Sequence, residues 1–183
     1  GYIDCYDTPG PILAATILGP YLVVYKEDGI ILLEYNAEVD PVFNKTPRIT
    51  GSQFFATKAV ASANNIDYFL ARDNVYAFTG LHEAVKIGDP IRDELLENFD
   101  FANKSECFAY IQPGKHRITF VTPVKASTTL NCWYTYDFLE KTWSKGKWND
   151  YMTCAGRYEG GEGTSWSQLS GLWSALLGSW ADL

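Results

Sequence analysis

LNCWYTYDFLEKTWSKGKW, residues 130–148, reads as strand, tight turn and returning strand. Cys132, Tyr134 and Tyr136 alternate with Trp133 and Thr135 at the two-residue period of a pleated strand. Asp137 to Lys141 is polar enough to reverse the chain, and Asp137 is placed to accept hydrogen bonds from amides further round the turn. Thr142-Trp143-Ser144 begins the return, with Trp143 expected to lie back over the hairpin.

The same kind of unit recurs upstream. Tyr21 to Tyr25, a Lys26-Glu27-Asp28-Gly29 turn and Ile30 to Tyr35 form a hairpin, with Gly29 expected to supply a positive φ. Ile66 to Arg72, a turn at Asp73-Asn74 and Val75 to Gly80 form a second, preceded by a turn at Asn64-Asn65. Cys107 to Ile111 and Arg117 to Thr122 are strands around a Gln112-Pro113-Gly114-Lys115 turn, and Met152 to Tyr158 is expected to be a last short strand. Ile12 to Leu18 is an apolar run ended by Gly19-Pro20, Asn36 to Gly51 a polar connection, and Ser52 to Ala63 apolar and small. Only between Gly88 and Asn98 does the period change: Ile91, Leu95, Leu96 and Phe99 share one helical face, Asp89 is a candidate cap and Pro90 suits the first turn.

The expectation is an all-β molecule with one short helix, a partial or complete β-propeller-like array of antiparallel blades. Residues 1–159 would carry about three units, each on the scale of a propeller blade. Residues 160–183 would be a Gly-rich link and a tail in which Trp166, Trp173 and Trp180 recur every seven residues, each followed three positions later by Leu. A β-sandwich is the structural competitor. The tail reads either as repeated short turns or as a helical seam, against which Gly171 and Gly178 count.

With 46% hydrophobic residues in 183, the chain can bury a core, and 15% aromatic residues favour strands. No apolar run approaches the ~20 residues of a membrane-spanning helix. A net charge of −7 without a Lys/Arg cluster argues against direct nucleic-acid binding. Cys5, Cys107, Cys132 and Cys154 are widely spaced and expected as reduced thiols. The chain opens inside strand-like sequence and shows no secretory signal pattern, so it is read as part of a longer or processed chain.

Candidate chemistry is sparse. His82 and His116 stand in no metal-binding spacing, and no cofactor or metal site is expected. Gly160-Gly161-Glu162-Gly163 lacks the Lys and Ser/Thr of a phosphate cradle. Gly163-Thr164-Ser165-Trp166 matches only the end of a sialidase-type box, without its aspartate. Trp133, Trp143 and Trp148 with Tyr134 and Tyr136 are either blade packing or a glycan-binding platform.

Tyr-Asp, four residues, then Thr-Trp at 136–143 is similar to the outer blade hairpin of kelch-like repeats. In order, YLVVYKEDGIILLEY, DYFLARDNVYAFTG, IGDPIRDEL and WYTYDFLEKTWS together resemble a family of propeller-like virion proteins of tailed bacteriophages, encoded in tail or head–tail gene clusters. The Trp-Ser-x-Leu heptads are similar to W-D-x-L repeats of such proteins, with Ser or Ala where aspartate is common. The resemblance covers most of residues 18–183 of a family whose chains are longer. It implies a non-enzymatic structural component located in the virion, whose partners are other virion proteins and copies of itself in a homo-oligomeric ring. Trp166, Trp173 and Trp180 are the candidate interaction residues. A host-glycan-binding propeller and a glycan-cleaving propeller are the alternative expectations.

Overall fold

The computed structural model describes residues 3–6, 8–37, 43–50, 54–80, 83–125, 130–148 and 152–156. Their strands form three four-stranded antiparallel sheets, each a meander in which every strand pairs with its neighbour in sequence. Sheet 1 contains β1 (Ile12–Leu18), β2 (Tyr21–Lys26), β3 (Gly29–Tyr35) and β4 (Phe43–Thr50). Sheet 2 contains β5 (Val60–Ala63), β6 (Ile66–Leu70), β7 (Val75–Phe78) and β8 (Val85–Lys86). Sheet 3 contains β9 (Phe108–Gln112), β10 (Arg117–Pro123), β11 (Leu130–Asp137) and β12 (Thr142–Lys147). The one α-helix among the described residues, α1 (Arg92–Asn98), lies in the connection between sheets 2 and 3.

The sheets stack in chain order as propeller-like blades. β1 touches β5 and β6, and β5 touches β9, so the first strand of each sheet approaches the next. A parallel bridge between Lys58 and Phe108 marks the second junction, where the Ala109 amide donates to the Lys58 carbonyl at 2.8 Å. Period-two alternation sends one row of side chains to each side. Leu18, Val23, Tyr25, Ile30 and Leu32 of sheet 1 pack with Phe54, Phe69, Ala71 and Phe78 at the seam with sheet 2. Tyr68, Leu70 and Val75 join Ile118, Phe120, Cys132, Tyr134 and Tyr136 at the seam with sheet 3. Sheet 2 is covered on both sides, which is why residues 67–71 form an unbroken buried run.

The turns explain several assignments. Asn64 and Asn65 both adopt positive φ, 52° and 61°, the pair a two-residue primed turn requires. The hairpin at Asp28-Gly29 forms where expected, but Gly29 opens β3 opposite Lys26 and is not among the positive-φ glycines. At Asp73-Asn74 the chain also reverses as expected, without left-handed backbone. There the Ala71 amide donates to the Asn74 carbonyl at 2.9 Å, and Asn74 Oδ1 accepts from the Val75 amide at 2.8 Å. After β11, Asp137 Oδ1 accepts from the amides of Leu139 (3.1 Å) and Glu140 (3.0 Å), and Lys141 closes the turn at φ 56°.

Three further expectations change. The polar connection at residues 36–51 contains β4, an edge strand that carries Pro47 opposite Ile31. A period-two reading misses it because an edge strand with little to bury carries few apolar residues. Asp89 does not cap the helix: Ile91 is its N-cap, without a side-chain bond, and Asp89 instead accepts from Asn74 Nδ2 at 2.6 Å. Leu95 and Phe99 bury the helix in the seam between sheets 2 and 3. Residues 152–156 are not a strand, although the Met152 amide donates to the Leu130 carbonyl at 2.8 Å.

Candidate functional site

Buried polar side chains lie both at the seams, led by Asp67, and on the outward sides of sheets 1 and 3, where Lys26 and the Thr119–Thr135 pair stand. Asp67 is the second residue of β6, just after the Asn64-Asn65 turn, with 0% exposure. Tyr25 donates to its Oδ2 at 2.6 Å, Thr16 donates to the same oxygen, and Ser62 donates to Oδ1. Thr16 and Tyr25 come from sheet 1, so one carboxylate ties two sheets together. Burial first, and then the Asp67 charge, hold the Tyr25 phenol well above its ordinary range, so Tyr25 is a fixed donor. Asp67 and Tyr25 are fully buried while Ser62 lies at the surface, and the chemistry of the cluster is that of a staple between strands.

At the second seam, Trp143 packs on Tyr136 with ring centroids 5.0 Å apart, and its indole N–H donates to the Ile87 carbonyl at 2.8 Å. Trp143 therefore lies over its own hairpin, as the sequence suggests, and also fastens sheet 3 to the chain leaving sheet 2. Lys145 reaches Glu94 of α1 across the same seam. Tyr134 and Tyr136 are buried here. Trp133 and Trp148 stand 6.1 Å apart, and Trp148 packs with Phe108, Val121 and Leu130 on the opposite side of sheet 3. The five aromatics of the candidate glycan platform thus divide between two faces and share no single surface.

The thiols and imidazoles do not converge. All four cysteines are free; Cys107 is fully buried and burial pushes its thiol up, the opposite of an activated nucleophile. His116 is a left-handed C-cap at φ 55°, edge-on to Phe138 at 5.7 Å. His82, Gly160 to Gly163 and the tail residues Trp166, Trp173 and Trp180 lie outside the described residues, as does the 160–183 segment as a whole. Among the described residues, no group of three or more His, Cys, Asp and Glu is placed to hold a metal ion, and no helix is long and apolar enough to cross a membrane.

Two surface features remain. A groove of about 710 Å³ runs between the β9–β10 turn and residues 155–156, lined by Tyr110, Gln112, Pro113 and Lys115 among others. The second feature is the side of sheet 1 that faces away from sheet 2. There Val24, Ile31 and Leu33 are covered by Cys5 and Phe43. Residues 3–6 and Thr8 lie along this face as a strap: the Lys26 ammonium donates to the carbonyls of Cys5 (2.7 Å) and Thr8, and Lys45 Nζ donates to that of Asp4 at 2.5 Å. The strap leaves a corner open. Ile17, Leu22 and Leu33 are register partners across β1, β2 and β3, and Ile17 is 78% exposed and Leu22 37%. Tyr35, 62% exposed, leans edge-on against Phe43 at 5.6 Å.

The outer strands are poor docking edges. β4 carries Lys45 and Pro47, β8 is two residues long, and β12 presents Lys145 and Lys147. Lysine, proline and short length each discourage addition of another strand. Sequence reasoning missed both the Asp67 staple and the Ile17–Leu22–Tyr35 corner. A carboxylate inside the apolar run IDYFL was the available signal for the first. The second had none, because Ile17 and Leu22 read as ordinary core residues until the sheet order is known. Comparison of the chain with protein-family models and with curated proteins finds no match to either.

Proposed function

We propose that this chain is a non-enzymatic structural component of a phage or prophage particle, acting through protein–protein contacts in the tail or head–tail region. The proposal begins from the ordered resemblance of its four hairpin and turn motifs to propeller-like virion proteins. The observation that carries it is where exposed apolar surface lies. Among the described residues, Ile3, Tyr6, Ile12, Ile17, Leu22 and Tyr35 are exposed large hydrophobics of sheet 1 and its strap, while only Val85, Phe101 and Leu139 are exposed elsewhere. Contiguous exposed apolar surface on one side of a rigid scaffold is what a protein–protein contact needs. Its partners in this reading are other virion proteins and further copies of the chain, its location is the virion, and Trp166, Trp173 and Trp180 are additional contact residues. Mass spectrometry of density-purified particles tests it: the chain is expected at a copy number comparable to other tail proteins. Its absence from intact particles would reject the reading.

A second reading is favoured by the groove beside Tyr110, whose volume of about 710 Å³ is in the range of small-ligand sites. In this reading the groove receives a host-surface glycan, with Tyr110 as the stacking ring and Gln112 and Lys115 as polar contacts. Titration of host polysaccharide against intrinsic fluorescence, with Tyr110→Ala as the control, separates the two: a saturable change lost in the variant supports the glycan reading, and none removes it.

A further inference from the structure

We infer that the cavity between the strap and the end of β2 is a binding site for a small organic carboxylate, held by the Lys26 ammonium. Lys26 ends β2 on the outward side of sheet 1 and is 4% exposed. Its ammonium donates to the carbonyls of Cys5, at 2.7 Å, and of Thr8, and both acceptors are neutral. Among the described residues, no carboxylate stands within ion-pair distance of it. A buried charge ordinarily has an opposite charge beside it, because neutral acceptors restore only part of the hydration it gave up. An ammonium also carries three donors, and the two carbonyls take two of them. The residue that supplies one of those carbonyls adds a second polar group: Thr8 is 1% exposed, and its hydroxyl has no hydrogen-bond partner. Buried polar groups are ordinarily bonded, so an unneutralised ammonium beside an unpaired hydroxyl calls for an anionic acceptor.

A cavity of about 290 Å³ opens at Lys26, with Ile3, Asp4, Tyr6, Gly10 and Ile12 among its other lining residues. Ile12 is the register partner of Lys26 across β1 and β2, and both Ile12 and Tyr6 are exposed, so the cavity has an accessible apolar and aromatic wall. Asp4 is the one acid among the described lining residues, and its Oδ1 accepts from the Tyr6 amide at 3.0 Å. This composition selects the ligand. One ammonium balances one negative charge, and Asp4 opposes a second, so a phosphate dianion is disfavoured and a monocarboxylate is matched. One carboxylate oxygen accepts from Lys26 and the other from the Thr8 hydroxyl, while an apolar or aromatic body rests against Ile12 and Tyr6. The site goes beyond the particle reading and stands whether or not that reading holds.

Calorimetric titration of the full chain with sodium benzoate at fixed ionic strength is the test, with sodium chloride and benzamide as controls. The expected result is saturable binding of benzoate at millimolar concentration and none of benzamide, which has the same ring without the charge. Lys26→Met keeps the aliphatic stem and should raise the dissociation constant at least about tenfold. Thr8→Val keeps the shape and should raise it about fivefold, close to the loss of one hydrogen bond to a charged group. Without ligand, Thr8→Val should melt no lower than the parent, since it removes a buried hydroxyl that has no partner. Asp4→Asn removes the opposing charge and should tighten binding. Circular dichroism and melting temperature identify any variant that fails to fold, and if Lys26→Met does, Thr8→Val and Asp4→Asn carry the test. Absence of saturable binding, equal binding of benzamide, or a folded Lys26→Met chain of parental affinity overturns the inference. Parental affinity in both Thr8→Val and Asp4→Asn overturns it as well.

Discussion

Asp67 shows how one side chain settles a contact between sheets. Its carboxylate takes three hydroxyl donors from strands of two sheets, so removing one donor leaves a buried acceptor short of a partner. Tyr25→Phe is expected to cost about 1–2 kcal/mol in denaturant unfolding with the fold intact, close to the worth of a bond to a charged group. A loss within error would mean that Thr16 and Ser62 satisfy the carboxylate alone. Asp137 acts differently, in solvent. The Glu140 amide first, and then Arg117 and the Leu139 amide, hold its carboxyl below the ordinary 3.8. A folded-state pKa below the unfolded one gives stability above that ordinary value, lost as pH falls through the folded value. Asp137→Ala should therefore lower the melting temperature at neutral pH, with the gap to the parent closing below about pH 3.8 in acid melts. A gap of constant size across that range would show that the turn does not depend on the charge.

The hairpins were legible wherever both turn chemistry and alternation were present, as at Asn64-Asn65 and Asp137 to Lys141. β4 and the cap of α1 were not, and for opposite reasons. β4 is an edge strand whose residues need little burial, so its sequence resembles a loop. Asp89 has the right chemistry for a cap, but Asn74 one turn away in space claims its carboxylate first. Trp143 was read correctly as lying over its hairpin, yet its larger role at the seam depends on Ile87, 56 positions away, which spacing alone cannot reveal. Trp143→Phe keeps the ring on Tyr136 and loses the bond to Ile87, at an expected cost of about 1 kcal/mol. Trp143→Ala loses both and should cost clearly more by the same denaturant measurement. Equal losses would place all of the effect in the bond and none in the packing.

Across the whole molecule, three sheets in a stack were foreseeable from recurring hairpins, while the partition into exposed and covered end faces was not, because it depends on what the strap covers. The burial is also readable in solution. Burial is the leading cause that raises Tyr25, Tyr68, Tyr76, Tyr134 and Tyr136 above the ordinary 10.0. Raised folded-state values contribute stability below pH 10 that is lost as pH climbs above it. In an alkaline titration followed by phenolate absorbance, these five should ionise together with the loss of near-ultraviolet dichroism. Ionisation of these five before unfolding would contradict the packing of the seams. The strictly sequential strand order also bears on how the chain reaches this state. Every described strand pairing joins neighbours along the chain, so each sheet can zip from its own turns without waiting for a distant segment. The slow steps are then the two dockings of finished sheets, and a nascent chain can complete the first sheet while the third is still being synthesised.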